Sequence, residues 1–90
     1  SMGEGAVLYT EEQVRQVNEF AKVERSDYYA VLGVTRQADS DEIKRAYKKM
    51  ALRFHPDKNQ APGADEAFKA VGAAFACLSD DRKRQQYDMF

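Results

Sequence analysis

The residue types best suited to chemistry gather in one short stretch, His55, Pro56 and Asp57. An imidazole two positions from a carboxylate is the start of an acid–base pair, with Asp57 able to orient His55. The chain supplies little more for such a reaction. Neither Ser nor Cys stands at a motif spacing from this His, and there is no glycine-rich loop to cradle phosphate. With a single His and a single Cys, Cys77, an internal disulfide is excluded and the usual ligands for a zinc site are too few. Cys77 lies among Phe75, Ala76 and Leu78, company that suits a small core residue better than a nucleophile. The expectation is a non-enzyme that needs no cofactor. On chemistry alone, the tripeptide reads as a turn carrying an ordinary His and an Asp that forms the turn.

A second group is electrostatic. Lys44, Arg45, Lys48, Lys49 and Arg53 crowd the middle of the chain, while Glu4, Glu11, Glu12, Glu19, Glu24 and Asp27 crowd its first third. The net charge of −1 conceals this segregation, and the distribution matters more than the sum. On a helix rising roughly 1.5 Å per residue, the stripe from Lys44 to Arg53 runs about 14 Å. That exceeds the ~8 Å screening length at physiological salt, so it can steer an acidic partner. The plain alternative is an ordinary solvated helix face. Leu52 argues against it: at about 100° per residue it lies half a turn from Ile43, among the bases, where an apolar side chain suits a protein contact. Nucleic acid phosphate is the other candidate partner for a basic helix. The slightly acidic balance, a loop too long for a helix-turn-helix and the absence of Asn or Gln from the basic helix weigh against it.

The elements that position these groups are helical. Thr10 with Gln13 forms a capping-box pattern, and Val14, Val17, Phe20 and Ala21 give a helix to about Val23 a modest apolar stripe that predicts docking on the rest of the domain. A frayed extension is the alternative. Asp27 to Leu32 predicts one or two helical turns stopped by Gly33; a strand over Tyr28 to Val34 would lack a partner strand. Asp39 with Glu42, and Ser40 as the competing cap, starts a helix to about Phe54, with Ile43, Ala46, Tyr47, Met50, Ala51 and Phe54 on its apolar face. Pro56, Pro62 and Gly63 break the chain into a loop over 55–63. A further helix from Ala64 to Leu78 carries Ala67, Phe68, Val71, Ala74, Phe75 and Leu78 at spacings of three and four. The simplest packing is an antiparallel hairpin in which Ile43, Met50 and Phe54 interleave with Phe68, Val71 and Phe75. Tyr28, Tyr29, Val31 and Leu32 would cap one side of it. Ser79 and Asp80 precede a last short helix with a basic centre at Arg82, Lys83 and Arg84.

At 90 residues, 43% hydrophobic and 32% charged, the chain fits one small all-α domain with a single core. No apolar run approaches the ~20 residues that span a bilayer. Ser1, Met2 and Gly3 read as a scar of expression, residues 1–9 as a disordered lead and residues 10–24 as a helical extension.

Several local patterns carry a resemblance. Asp27-Tyr28-Tyr29, Leu32-Gly33-Val34, Ile43-Lys44-Arg45-Ala46-Tyr47, His55-Pro56-Asp57-Lys58-Asn59 and Tyr87-Asp88 together resemble the J-domain of DnaJ, or heat shock protein 40, co-chaperones over residues 27–88. The resemblance implies a hairpin fold and a partner, a DnaK-type heat shock protein 70 chaperone whose ATP hydrolysis the domain stimulates. By position, Asp57 would engage an Arg of that chaperone while His55 and Pro56 shape the loop. Lys44, Lys48 and Lys49 would meet its acidic surface, with Leu52 among them and Lys58, Asn59 and Lys69 near the edge. Tyr47 would sit at the rim, although periodicity assigns it to the core. The run Lys58-Asn59-Gln60-Ala61-Pro62-Gly63-Ala64, continued by Glu66-Ala67-Phe68-Lys69-Ala70-Val71-Gly72, is similar to the group of subfamily B member twelve, whose J-domain faces the cytosol from the endoplasmic reticulum membrane. That resemblance implies client binding through regions outside this chain, and contact with neither nucleic acid nor membrane by this segment.

Overall fold

Four of the five described helices begin where a side chain replaces a missing backbone partner. In the computed structural model, which describes residues 8–90, Thr10 caps helix α1 (Glu11–Ala21) and its capping box with Gln13 is complete. Asp27 caps α2 (Tyr28–Leu32), which ends on Gly33 at φ 74, a left-handed backbone that costs glycine little. Asp39, and not Ser40, caps α3 (Ser40–Phe54), again with a full capping box through Glu42. Helix α4 (Ala64–Leu78) starts from Gly63 at φ 91 with no side-chain cap; Asp65 and Glu66 in its first turn offset this by facing the positive end of the helix dipole. Asp80 caps α5 (Asp81–Asp88). The described residues contain no strand, so the stretch from Tyr28 takes the helical alternative. The reading of Ser1 to Gly3 and of most of the lead lies outside the described residues. Of that lead, Leu8 is exposed, while Tyr9 packs half-buried against the core.

The fold is an all-helical hairpin of α3 and α4, and α4 touches each of the other four described helices. Ile43, Phe54, Ala64, Ala67, Val71, Ala74 and Leu78 form its buried seam, together with Tyr29, Val31 and Leu32 from α2. Three residues expected deep in the interleave, Met50, Phe68 and Phe75, are only partly buried. The alanines of α4 occupy the centre of the seam instead, and a small side chain there brings the helices close and pushes the large rings to the flanks. Burying a residue such as Ile43 or Phe54 contributes roughly 1.5–3 kcal/mol.

The extension helix docks rather than frays, through buried Val17 and Phe20. Ala21, assigned to the same stripe, is exposed, because the contact is narrower than the apolar pattern. At the other end α5 clasps α2. Arg84 donates from Nε to the Tyr29 hydroxyl (3.0 Å) and from Nη2 to the carbonyls of Arg36 (3.0 Å) and Ala38 (2.7 Å). The Tyr87 hydroxyl donates to Ser26 O (2.6 Å) and accepts from Tyr28 N (2.9 Å). Their rings stack with centroids 4.8 Å apart.

Candidate functional site

The hairpin presents the loop that carries His55, Pro56 and Asp57. Pro56 disfavours helical geometry at the residue before it, and His55 leaves the helix with ψ 133. Its carbonyl then accepts from both Lys58 N (2.9 Å) and Asn59 N (2.8 Å), which closes the chain into a tight turn. The imidazole is fixed from two sides. Its Nδ1 accepts from the backbone N–H of Asp57 at 3.1 Å, and its ring meets Phe68 of α4 edge-on at 5.3 Å. An accepting Nδ1 leaves the ring proton on Nε2. The Asp57 carboxylate is 3.9 Å from that same nitrogen, too far for a hydrogen bond, and its side chain is 89% exposed. Asp57 is therefore an outward carboxylate on an ordered loop, not half of an acid–base pair.

Asn59 closes the loop from inside. The residue is 1% exposed; its Nδ2 donates to the carbonyl of Arg53 (3.1 Å) and its Oδ1 accepts from Ala61 N (2.9 Å). Expected at the edge of a contact surface, its side chain is instead spent joining the last turn of α3 to the far side of the loop. Nothing local in the sequence marked it as buried.

Lys44, Arg45, Lys48 and Lys49 are exposed along α3, and Leu52 stands among them at 59% exposure. Among the described residues, none of the three lysines forms an ion pair with an acid. Tyr47 reconciles its two assignments: its ring stacks on Phe75 with centroids 4.1 Å apart, while the residue remains half-buried, so its body packs and its tip reaches water. Lys58 is exposed on the loop. Lys69 lies elsewhere, in a shallow hollow with Arg25, Tyr28 and Glu66 on the α2 side of the hairpin. The loop thus follows directly on the exposed α3 face, and Lys69 lines a hollow on the α2 side.

Cys77 is half-buried, and burial pushes its thiol pKa up, away from the thiolate a nucleophile needs. Two residues with consequences for the site carry more than their local patterns predict. Arg84, in the basic centre of the last helix, holds α5 to α2. Gln13, besides its part in the capping box, donates from Nε2 to the carbonyl of Lys58 at 2.8 Å. The signal was the residue type, since an amide in a capping box keeps a donor to spare.

A helix hairpin that holds a short loop rigidly at its tip, beside an exposed basic helix face, defines a loop-presenting helical module. Residues 27–88 match the DnaJ domain family, and the chain belongs to this family of co-chaperones. It is 56% identical over 88 residues to DnaJ homolog subfamily B member 12 of Mus musculus, covering 98% of this chain and 23% of that protein. It is 53% identical to subfamily C member 18 of Macaca fascicularis over 98% of this chain and 24% of that relative. For subfamily B member 14 of Mus musculus the identity is 53%, over 97% of this chain and 22% of that relative. The chain spans about a quarter of the length of these relatives.

Proposed function

We propose that this domain docks on a DnaK-type heat shock protein 70 chaperone and stimulates its ATP hydrolysis. The observation that carries the reading is the outward carboxylate of Asp57, 89% exposed on a loop whose backbone is held by His55, Asn59 and the hairpin itself. An exposed carboxylate on a fixed backbone suits a bidentate pair with a guanidinium of the partner. His55 and Pro56 set the turn that presents it. Lys44, Lys48 and Lys49 supply the positive stripe that steers an acidic chaperone surface toward the loop. Leu52 supplies an apolar contact within the stripe, Tyr47 a half-buried rim, and Lys58 a charge beside Asp57. Asn59 serves this reading as an internal brace, and Lys69 as an outlying charge.

In the full-length protein, the reaction belongs to the chaperone, and client folding or quality control follows from regions beyond this chain. The similarity of residues 58–72 to the group of subfamily B member twelve supports a parent anchored in the endoplasmic reticulum membrane with this domain in the cytosol. No helix of the described residues is long and apolar enough to cross a membrane.

Single-turnover ATP hydrolysis by the purified chaperone tests the proposal. The rate rises on adding this domain, and His55→Gln or Asp57→Asn abolishes the rise; Asp57→Asn, at an exposed position, keeps the parent's helix content and Tm because such a substitution costs about 0.5 kcal/mol or less, while His55→Gln, which gives up the packing on Phe68, keeps the helices at a lower Tm. Full stimulation by both variants would sink the assignment of the loop. Salt-sensitive binding of RNA or DNA with no effect on ATP turnover would favour a nucleic-acid module instead.

A further inference from the structure

Helix α1 lies outside the family match, which begins at Asp27, yet it meets the loop at three places. At the loop's start, Phe20 packs against Phe54 with ring centroids 5.1 Å apart. In its middle, Gln13 Nε2 donates to the carbonyl of Lys58 at 2.8 Å, one residue beyond Asp57. At its end, a Cβ added to Gly63 would stand 2.9 Å from Cγ1 of Val17, so α1 rests directly on the backbone there. We propose that α1 is a working part of the docking surface and that Gln13 is a positioning residue for the His55-Pro56-Asp57 loop. This inference rests on the chaperone-docking role proposed above.

The carboxamide of Gln13 does two things at once. Its Oε1 accepts from Thr10 N at 2.9 Å to complete the capping box, and its Nε2 is thereby aimed at the Lys58 carbonyl. Glu performs the capping half equally well and gains from the helix dipole. A carboxylate has no proton to donate, so only the amide closes both contacts. Fixing the Lys58 carbonyl limits the torsions of the segment that carries Asp57, and a loop ordered in advance loses less entropy when it docks. The alignments of 88 residues with subfamily B member 12 and subfamily C member 18 cover 98% of this chain and therefore take in nearly all of α1. The brace thus falls within the region this chain shares with those relatives.

Gln13→Glu is the decisive variant because it keeps the cap and removes the donor. In the 90-residue chain it is expected to stay folded with a Tm lower by about 2–6 °C, since capping and the dipole both tolerate Glu at this position while one hydrogen bond to the loop is lost. The carbonyl 13C shift of Lys58 moves, and the amide signals of Lys58 and Asn59 broaden. With a purified DnaK-type chaperone, the concentration for half-maximal stimulation rises roughly three- to tenfold, as the loss of one ordering hydrogen bond implies. The plateau rate is unchanged, because the docked loop is the same once bound. Asn18→Ala, on the exposed side of α1, leaves both quantities where they were. Unchanged loop signals together with the parent's half-maximal concentration in Gln13→Glu would overturn the proposal, and so would a lowered plateau at an unshifted concentration. If the parent itself fails to stimulate, the docking role falls separately, and the loop signals alone then decide whether Gln13 positions the loop.

Discussion

The buried amide of Asn59 ties Arg53 O to Ala61 N, joining the last turn of α3 to the far side of the loop. Asn59→Ala leaves both unsatisfied at a cost of about 1–3 kcal/mol. Thermal melting of a domain this small should register that as a fall in Tm on the order of 10 °C, with most amide broadening at residues 56–61; a Tm equal to the parent's would contradict the bracing role. Tyr29 offers a pH-dependent counterpart. Burial, with the hydrogen bond to Asp88 adding to it, raises its pKa above the ordinary 10.0, even though Arg84 acts in the opposite sense. A raised acid pKa means that the unfolded chain gives up the phenolic proton first. The stability associated with the neutral hydroxyl is therefore complete below about pH 10 and is lost as pH climbs above it. Tyr29→Phe, less stable at pH 7 for want of its hydrogen bonds, should lose less stability than the parent between pH 10 and 11 in denaturant titrations. Equal losses would show that the hydroxyl does not govern the alkaline limb.

Among the elements, the two left-handed glycines make opposite demands. Gly33 at φ 74 has open space around it, whereas Gly63 at φ 91 faces Val17 Cγ1. Alanine at Gly33 meets only the backbone penalty, roughly 1–2 kcal/mol. Alanine at Gly63 meets that penalty and a clash with a buried, β-branched side chain that has little rotamer freedom to retreat. Gly63→Ala should therefore detach and unfold α1, freeing the backbone at the already exposed Arg15 and Lys22 for trypsin, while Gly33→Ala lowers Tm without accelerating cleavage there. Comparable cleavage rates in the two variants would remove the contact between α1 and the loop from the account. The extension was legible as a helix because its cap and its stripe are local, but its seat was not. The stripe of Val14, Val17, Phe20 and Ala21 says that some face is apolar; it does not say that Gly63 is what that face will meet.

At the scale of the whole molecule, the charge segregation visible along the chain survives at the three lysines of α3 and not at Arg53. The acids Glu12 and Glu19 of α1 line a groove with Arg53 at the end of α3, while Lys44, Lys48 and Lys49 stay exposed. A long positive face with low local competition steers an acidic partner, and salt screens it. Replacing Lys48 and Lys49 by Glu should raise the half-maximal concentration for chaperone stimulation on the order of tenfold at low salt. The same change should flatten its dependence on ionic strength. A variant that loses affinity but keeps the parent's full salt dependence would show that the stripe acts by shape rather than charge.

What the chain determined by itself is the set of interactions that span three or four positions. The capping boxes at Thr10 and Asp39, the stop at Gly33, the break at Pro56 and the opposed faces of α3 all follow from neighbours along one helix, and so they were legible before any packing was known. The hairpin followed from two apolar stripes joined by a short loop. Tertiary structure decided the rest: that Asn59 is interior, that Lys69 lines a hollow with Arg25 and Tyr28, that Arg84 clasps Tyr29 and that Gln13 reaches Lys58. Gln13 and Lys58 lie 45 positions apart, and Arg84 and Tyr29 lie 55 apart. A side chain with several hydrogen-bonding groups, such as an amide or a guanidinium, can satisfy them in many ways, and only the approach of another element selects one.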